Sequence, residues 1–125
     1  MNLNQVTIPV SDMERSVDFY RRLGLKLIVK ELPHYVRFEC PEGDATVSLR
    51  QVKDVQIQTG IWIYFEVRNL DEYVRELLKK GIVFEELPMD KTWRWREARL
   101  KDSDNNQVII YYAGDHRKYP PWRFR

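Results

Sequence analysis

Two hydrophobic rhythms run along this chain, and the order in which they appear repeats. From Leu3 to Val10 the apolar Val6, Ile8 and Val10 alternate with Gln5, Thr7 and Pro9. That two-residue period predicts a strand with two unlike faces. Met13, Val17, Tyr20 and Leu23 then recur at helical spacing. Ser11 and Glu14 stand at the separation of a capping box, and Gly24 suits the helix stop. Strands follow at Leu25 to Glu31, Tyr35 to Cys40 and Thr46 to Val52, separated by Pro33 and by the turn Pro41-Glu-Gly-Asp44.

The same order returns. Ile61 to Val67 predicts a strand. Asn69 and Glu72 repeat the capping spacing, Leu70, Val74, Leu77 and Leu78 form a helical stripe, and Gly81 ends it. Val83 to Leu87 predicts a strand broken by Pro88. Trp93 to Lys101 and Gln107 to Tyr112 are the last two strands, joined by the turn Asp102-Ser-Asp-Asn-Asn106. Val10, Met13, Val17, Tyr20 and Gly24 each find their counterpart 57 residues on, at Val67, Leu70, Val74, Leu77 and Gly81. Past the third strand the offset becomes 61, pairing Val47 with Val108 and Leu49 with Ile110. The chain thus reads as an α+β protein of two βαβββ modules, 1–52 and 61–113, with a linker at 53–60. A module of about 55 residues is marginal alone, so two together make physical sense.

Composition narrows the class. With 43% hydrophobic and 32% charged residues, the chain has the balance of a folded globular domain, not of a disordered one. No apolar run approaches the roughly 18–20 residues that span a bilayer, so no membrane role is expected. The start of the sequence lacks the basic region and apolar stretch of a secretory leader, so a cytoplasmic protein is expected. The single cysteine, Cys40, excludes an internal disulfide and a CxxC metal or redox pair. Net charge is +2 overall, but the tail 114–125 carries four arginines and lysines against Asp115. The body is therefore close to neutral, without a basic stripe for nucleic acid. Tyr119, Trp122 and Phe124 in that tail predict that it docks on its own body or on a partner subunit.

The module order and several motifs resemble the vicinal oxygen chelate superfamily, which includes glyoxalase I, extradiol dioxygenases, fosfomycin-resistance enzymes and bleomycin-resistance proteins. The motifs are Val6-Thr-Ile-Pro-Val-Ser-Asp-Met-Glu-Arg-Ser-Val-Asp-Phe-Tyr20, Leu23-Gly-Leu25, Phe65-Glu-Val67 and Arg96-Glu-Ala-Arg-Leu-Lys-Asp-Ser-Asp-Asn-Asn106. The last resembles the family's Asp-Pro-Asp-Gly-Asn turn, with Ser103 and Asn105 as departures. The resemblance implies a half-barrel per module, paired around a cleft within one chain or between swapped chains, and a homodimer.

It also implies where metal ligands stand in metal-dependent relatives: on the first and last strand of each module, at Gln5, Ser48, Trp62 and Ile109 here. Divalent ions in such sites take imidazole nitrogen or carboxylate oxygen. Ile109 has no donor atom, the Trp62 indole N–H only donates, Ser48 is a poor ligand, and Gln5 offers one weak carbonyl oxygen. The expectation is no metal and no other cofactor. Glu39, Glu66 and Glu97 are expected to pair with Arg37, Arg50, Arg96 and Arg99 as structural ion pairs. Strand parity then gives a cleft-facing set of Gln5, Thr7, Ser48, Arg50, Trp62, Tyr64, Glu66, Ile109 and Tyr111. Aromatic faces with a few polar groups suit a small, planar or aromatic ligand. Trp62 either fills the vacant ligand position or forms a stacking wall. Trp93-Arg-Trp-Arg96 is expected to pack at a strand edge with cation–π contacts. The function expected is metal-independent small-molecule binding. The alternative is a lyase, isomerase or dioxygenase-like enzyme with an atypical site, in which Glu66 and Tyr111 act as acid and base and Arg50 steadies an oxyanion.

Overall fold

A computed structural model describes residues 1–54 and 61–124. Residues 55–60 of the expected linker lie outside the described residues. The chain divides into two compact units: Met1–Gln58 with Asp102–Asn105, and Thr59–Lys101 with Asn106–Arg125.

Unit one holds β1 (Gln5–Val10), α1 (Met13–Leu23), β2 (Lys26–Glu31), β3 (Tyr35–Glu39) and β4 (Thr46–Gln51). Its open, mixed sheet has the order β1-β4-β3-β2, with β1 parallel to β4 and the other pairs antiparallel. The alternation read from the sequence holds except at Val6, which is exposed near the start of β1. Ile8, Val10, Val36, Phe38, Val47 and Leu49 bury one face, together with Met13, Phe19, Tyr20 and Leu23 of α1. Leu49 is fully enclosed, so its truncation to alanine is expected to cost about 2–5 kcal/mol.

Unit two repeats the plan with β5 (Trp62–Glu66), α2 (Leu70–Lys79), β6 (Glu86–Asp90), β7 (Arg96–Lys101) and β8 (Gln107–Tyr112), in sheet order β5-β8-β7-β6. Its core joins Ile63, Val108, Ile110, Ala98 and Leu100 to Leu70, Val74 and Leu77 of α2. A 3-10 helix, Gly114–Arg117, follows. Gly24 and Gly81 end the two helices with φ of 115° and 84°, the left-handed region that a side chain resists.

Several local expectations change. Ser11 does not cap α1: Asp12 does, accepting from the Arg15 N–H at 3.2 Å. Ser11 gives its own N–H and hydroxyl to the Asp104 carboxylate, the hydroxyl at 2.5 Å. Asn69 precedes α2 but makes no side-chain cap bond. Leu78 belongs to the expected stripe yet is exposed. The sixth strand covers Glu86–Asp90 rather than 83–87 and contains Pro88. The residue is tolerated because β6 is an edge strand whose register shifts between Glu86 and Met89, so no ladder N–H is needed there. The chain turns between Lys91 and Trp95, and β7 begins at Arg96. The offset between modules has already grown before the third strand: Arg37 faces Ser48 as Arg99 faces Ile109. The extra residues thus lie between α2 and β7 and include that tryptophan turn. The start of the tail is held to the body through Gly114, His116 and Arg117, whereas Trp122 and Phe124 remain exposed and are not covered by it.

Candidate functional site

Each sheet turns one face toward its helix; the other carries the residues singled out by parity. In unit one the parallel pairing puts Thr7 beside Ser48, and the antiparallel pairing puts Arg37 on the other side of Ser48. Gln5, Thr7, Ser48 and Arg50 therefore share a face with Tyr35 and Arg37. Ser48 is fully buried, and its hydroxyl shares a 2.7 Å hydrogen bond with that of Tyr35. Arg37 donates from Nε to the same phenol oxygen at 3.0 Å. These bonds hold the Tyr35 pKa below its ordinary value, chiefly through Ser48 and further through Arg37. The Gln5 amide oxygen accepts from the Thr46 hydroxyl at 2.8 Å.

In unit two, Trp62, Tyr64 and Glu66 lie beside Gln107, Ile109 and Tyr111, and Arg99 and Glu97 flank Ile109 and Tyr111 from β7. Tyr111, Ile109 and Ala113 form a buried cluster against which Trp95 packs. Trp95 stacks on Tyr111 with centroids 4.7 Å apart and planes at 21°. Tyr64 stands edge-on to both rings, at 6.0 Å from Trp95 and 5.5 Å from Tyr111. The Arg99 guanidinium lies 5.2 Å from the Trp62 ring centre. Trp62 itself remains 48% exposed, so it does not fill a closed core. Burial, then the Glu97 charge, raises the Tyr64 pKa; burial, then Glu66, raises that of Tyr111. Both phenols stay protonated at neutral pH.

Glu97 is almost wholly buried. One oxygen accepts from the Trp93 indole N–H at 2.7 Å, the other from Arg99 at 3.3 Å. The expected ion pairing is thus met for Glu97, while Glu66 lies 3.9 Å from Arg117 and Glu39 lies 3.7 Å from Lys26. Arg96 turns to Asp71 and Asp90 instead of a strand glutamate. Glu66 is committed to structure: its carboxylate accepts from the backbone N–H of Ala113 and Gly114 at 2.8 and 2.9 Å, fixing the start of the 3-10 helix. The cation–π contact expected at Trp93–Arg96 is found at Trp62 instead. Trp93, Trp95, Glu97 and Arg99 belong to this face but escaped the parity reading, because their placement depends on the shifted offset before β7.

The residues at the four implied ligand positions do not fit a divalent ion. Ile109 is buried hydrocarbon, Trp62 offers an N–H, the Ser48 oxygen is bonded to Tyr35, and the Gln5 oxygen to Thr46. Among the described residues, no group of three or more His, Cys, Asp and Glu side chains is placed to hold a metal. Nor, among them, is any helix long and apolar enough to cross a membrane.

Three comparisons with known proteins bear on this arrangement. The sequence pattern of the Glyoxalase/Bleomycin resistance protein/Dioxygenase superfamily matches residues 2–110. The uncharacterized protein YraH of Bacillus subtilis (strain 168) is 28% identical over 125 residues, covering 89% of this chain and 98% of YraH. The fold is similar to that of a glyoxalase/bleomycin resistance protein/dioxygenase from Nocardioides, with a TM-score of 0.78, 19% identity, and coverage of 100% of this chain and 90% of the other. It is similar also to a bleomycin resistance determinant encoded on the transposon Tn5, with a TM-score of 0.75, 17% identity, and coverage of 90% and 98%. At those identities the structural likeness concerns the fold alone.

Proposed function

This chain belongs to the glyoxalase/bleomycin resistance protein/dioxygenase superfamily, and within it we propose a metal-independent binder of a small planar or aromatic molecule. The observation that carries the reading is the donor chemistry at Gln5, Ser48, Trp62 and Ile109: one position has no donor atom, one only donates, and two are bonded to Thr46 and Tyr35. The binding surface is the face of unit two, where half-exposed Trp62 and Tyr64 stand beside the stacked Trp95 and Tyr111. Flat rings gain both buried area and favourable edge or face contacts on such a surface. The proposed acid–base use of Glu66 is disfavoured by its bonds to Ala113 and Gly114.

Isothermal titration of the metal-stripped protein with a panel of planar aromatics tests this directly. Saturable binding, weakened at least tenfold by Trp62→Ala, is expected. Binding that appears only after a divalent ion is added would overturn the reading. The same proposal takes the protein as a cytoplasmic homodimer, in which a partner covers the exposed Trp122 and Phe124. A monomer in sedimentation at micromolar concentration would contradict that part.

A further inference from the structure

The aromatic face of unit two carries more hydrogen-bond donors than acceptors. Both oxygens of buried Glu97 are engaged, one by the Trp93 indole and one by Arg99. Arg99 is not saturated in return. Its guanidinium has five N–H groups and gives one to Glu97, while its Nε is buried with no partner among the described residues. The buried Nε is out of a ligand's reach, but the Arg99 side chain is 26% exposed, so an outer guanidinium nitrogen can meet an acceptor brought by a ligand. The Tyr64 hydroxyl and the Trp62 indole N–H add two donors that meet no acceptor among the described residues. Arg99 also sits against the Trp62 ring, which places its charge beside a flat wall.

Unit one supplies a contrast at the same register position. Arg37 spends its Nε on the Tyr35 hydroxyl, which in turn meets Ser48. Both arginines thus have N–H groups to spare, and what is particular to unit two is the exposed Trp62 ring against which Arg99 sits.

We propose that the face of unit two takes a planar aromatic carboxylate, its ring against Trp62 and Tyr64 and its carboxylate accepting from Arg99. This inference rests on the aromatic-binding reading above and adds the charge of the ligand. A guanidinium matches a carboxylate with two parallel N–H donors, a geometry that ammonium does not offer.

The test compares acids with their neutral primary amides, using benzoate, salicylate, 2-naphthoate and indole-3-carboxylate. Titration calorimetry on the full native protein at low salt is expected to show each acid binding at least tenfold more tightly than its amide, with the ratio falling as salt rises. Arg99→Lys is expected to remove most of that preference. The double variant Glu97→Gln with Arg99→Met, which removes both charges of the pair together, is expected to bring the ratio to about one. Equal binding of acids and amides by the native protein would overturn this inference while leaving the aromatic-binding reading standing. An acid preference that survives in the double variant would show that another group takes the anion. No binding of any ring, charged or neutral, would overturn both readings. The native comparison decides even if a variant fails to fold.

Discussion

At matching register positions, unit one holds Gln5, Tyr35 and Ser48 where unit two holds Trp62, Glu97 and Ile109; the arginines, Arg37 and Arg99, alone are shared. The first set closes on itself: Gln5 on Thr46, Tyr35 on Ser48, Arg37 on Tyr35. The second leaves the Trp62 and Tyr64 rings half-exposed, with Arg99 between the Trp62 ring and Glu97, above a buried hydrocarbon floor. One duplicated scaffold therefore supports a polar, hydrogen-bonded face and an aromatic one. The helix-facing side of each sheet is apolar in both units, so the duplication is preserved where packing constrains it. It has diverged on the opposite faces, where chemistry is free to change.

Substitutions that move one unit toward the other probe this contrast. The largest effect is expected from Ile109→Ser, which places unit one's residue in unit two. It removes buried hydrocarbon and adds a hydroxyl without the tyrosine partner that Ser48 enjoys, a loss of about 3–5 kcal/mol in denaturant unfolding. Glu97→Ala comes next. It leaves the Trp93 N–H and the Arg99 charge without their acceptor, at a cost of about 2–3 kcal/mol, reduced from a fully buried pair because Arg99 is partly exposed.

Tyr20→Phe sharpens the contrast between helices, since the matching residue of α2 is Leu77. The Tyr20 hydroxyl donates to Asp102 at 2.6 Å, so its loss is expected to cost about 1–2 kcal/mol. Burial, then the Asp102 charge, holds the Tyr20 pKa well above its ordinary value. A pKa raised on folding means stability that is complete below the unfolded value of about 10 and lost as pH rises toward the folded one. Native protein should thus lose stability above about pH 10 more steeply than Tyr20→Phe, measured as unfolding midpoint against pH. The smallest effect is expected from Gln5→Ala, whose bond to Thr46 is exposed, at no more than about 0.5 kcal/mol.

The repeated βαβββ order, the 57-residue period and the face assignments were legible because two-residue and helical alternation answer directly to burial. Gln5, Trp62 and Ile109 lie on the sheet faces that parity gave them for that reason, Ile109 wholly buried there. What stayed hidden depends on contacts distant in sequence. Asp104, 93 residues after Ser11, takes the serine that local spacing assigned to a helix cap. Pro88 reads as a strand breaker until its edge position is known. Arg99 and Glu97 join the aromatic face only through pairing with Ile109 and Tyr111, across an insertion whose place the periodicity did not locate. The tail aromatics signalled a docked segment, yet nothing in their own sequence specifies the surface that would cover them.

Thermal unfolding of metal-stripped protein, alone and with Ni, Zn, Mn or Fe(II), tests the central claim most directly, because a ligand that binds only the native state must raise its midpoint. The vacant-donor account predicts no ion-specific shift. A rise of several degrees with one ion, abolished by a chelator, would contradict it.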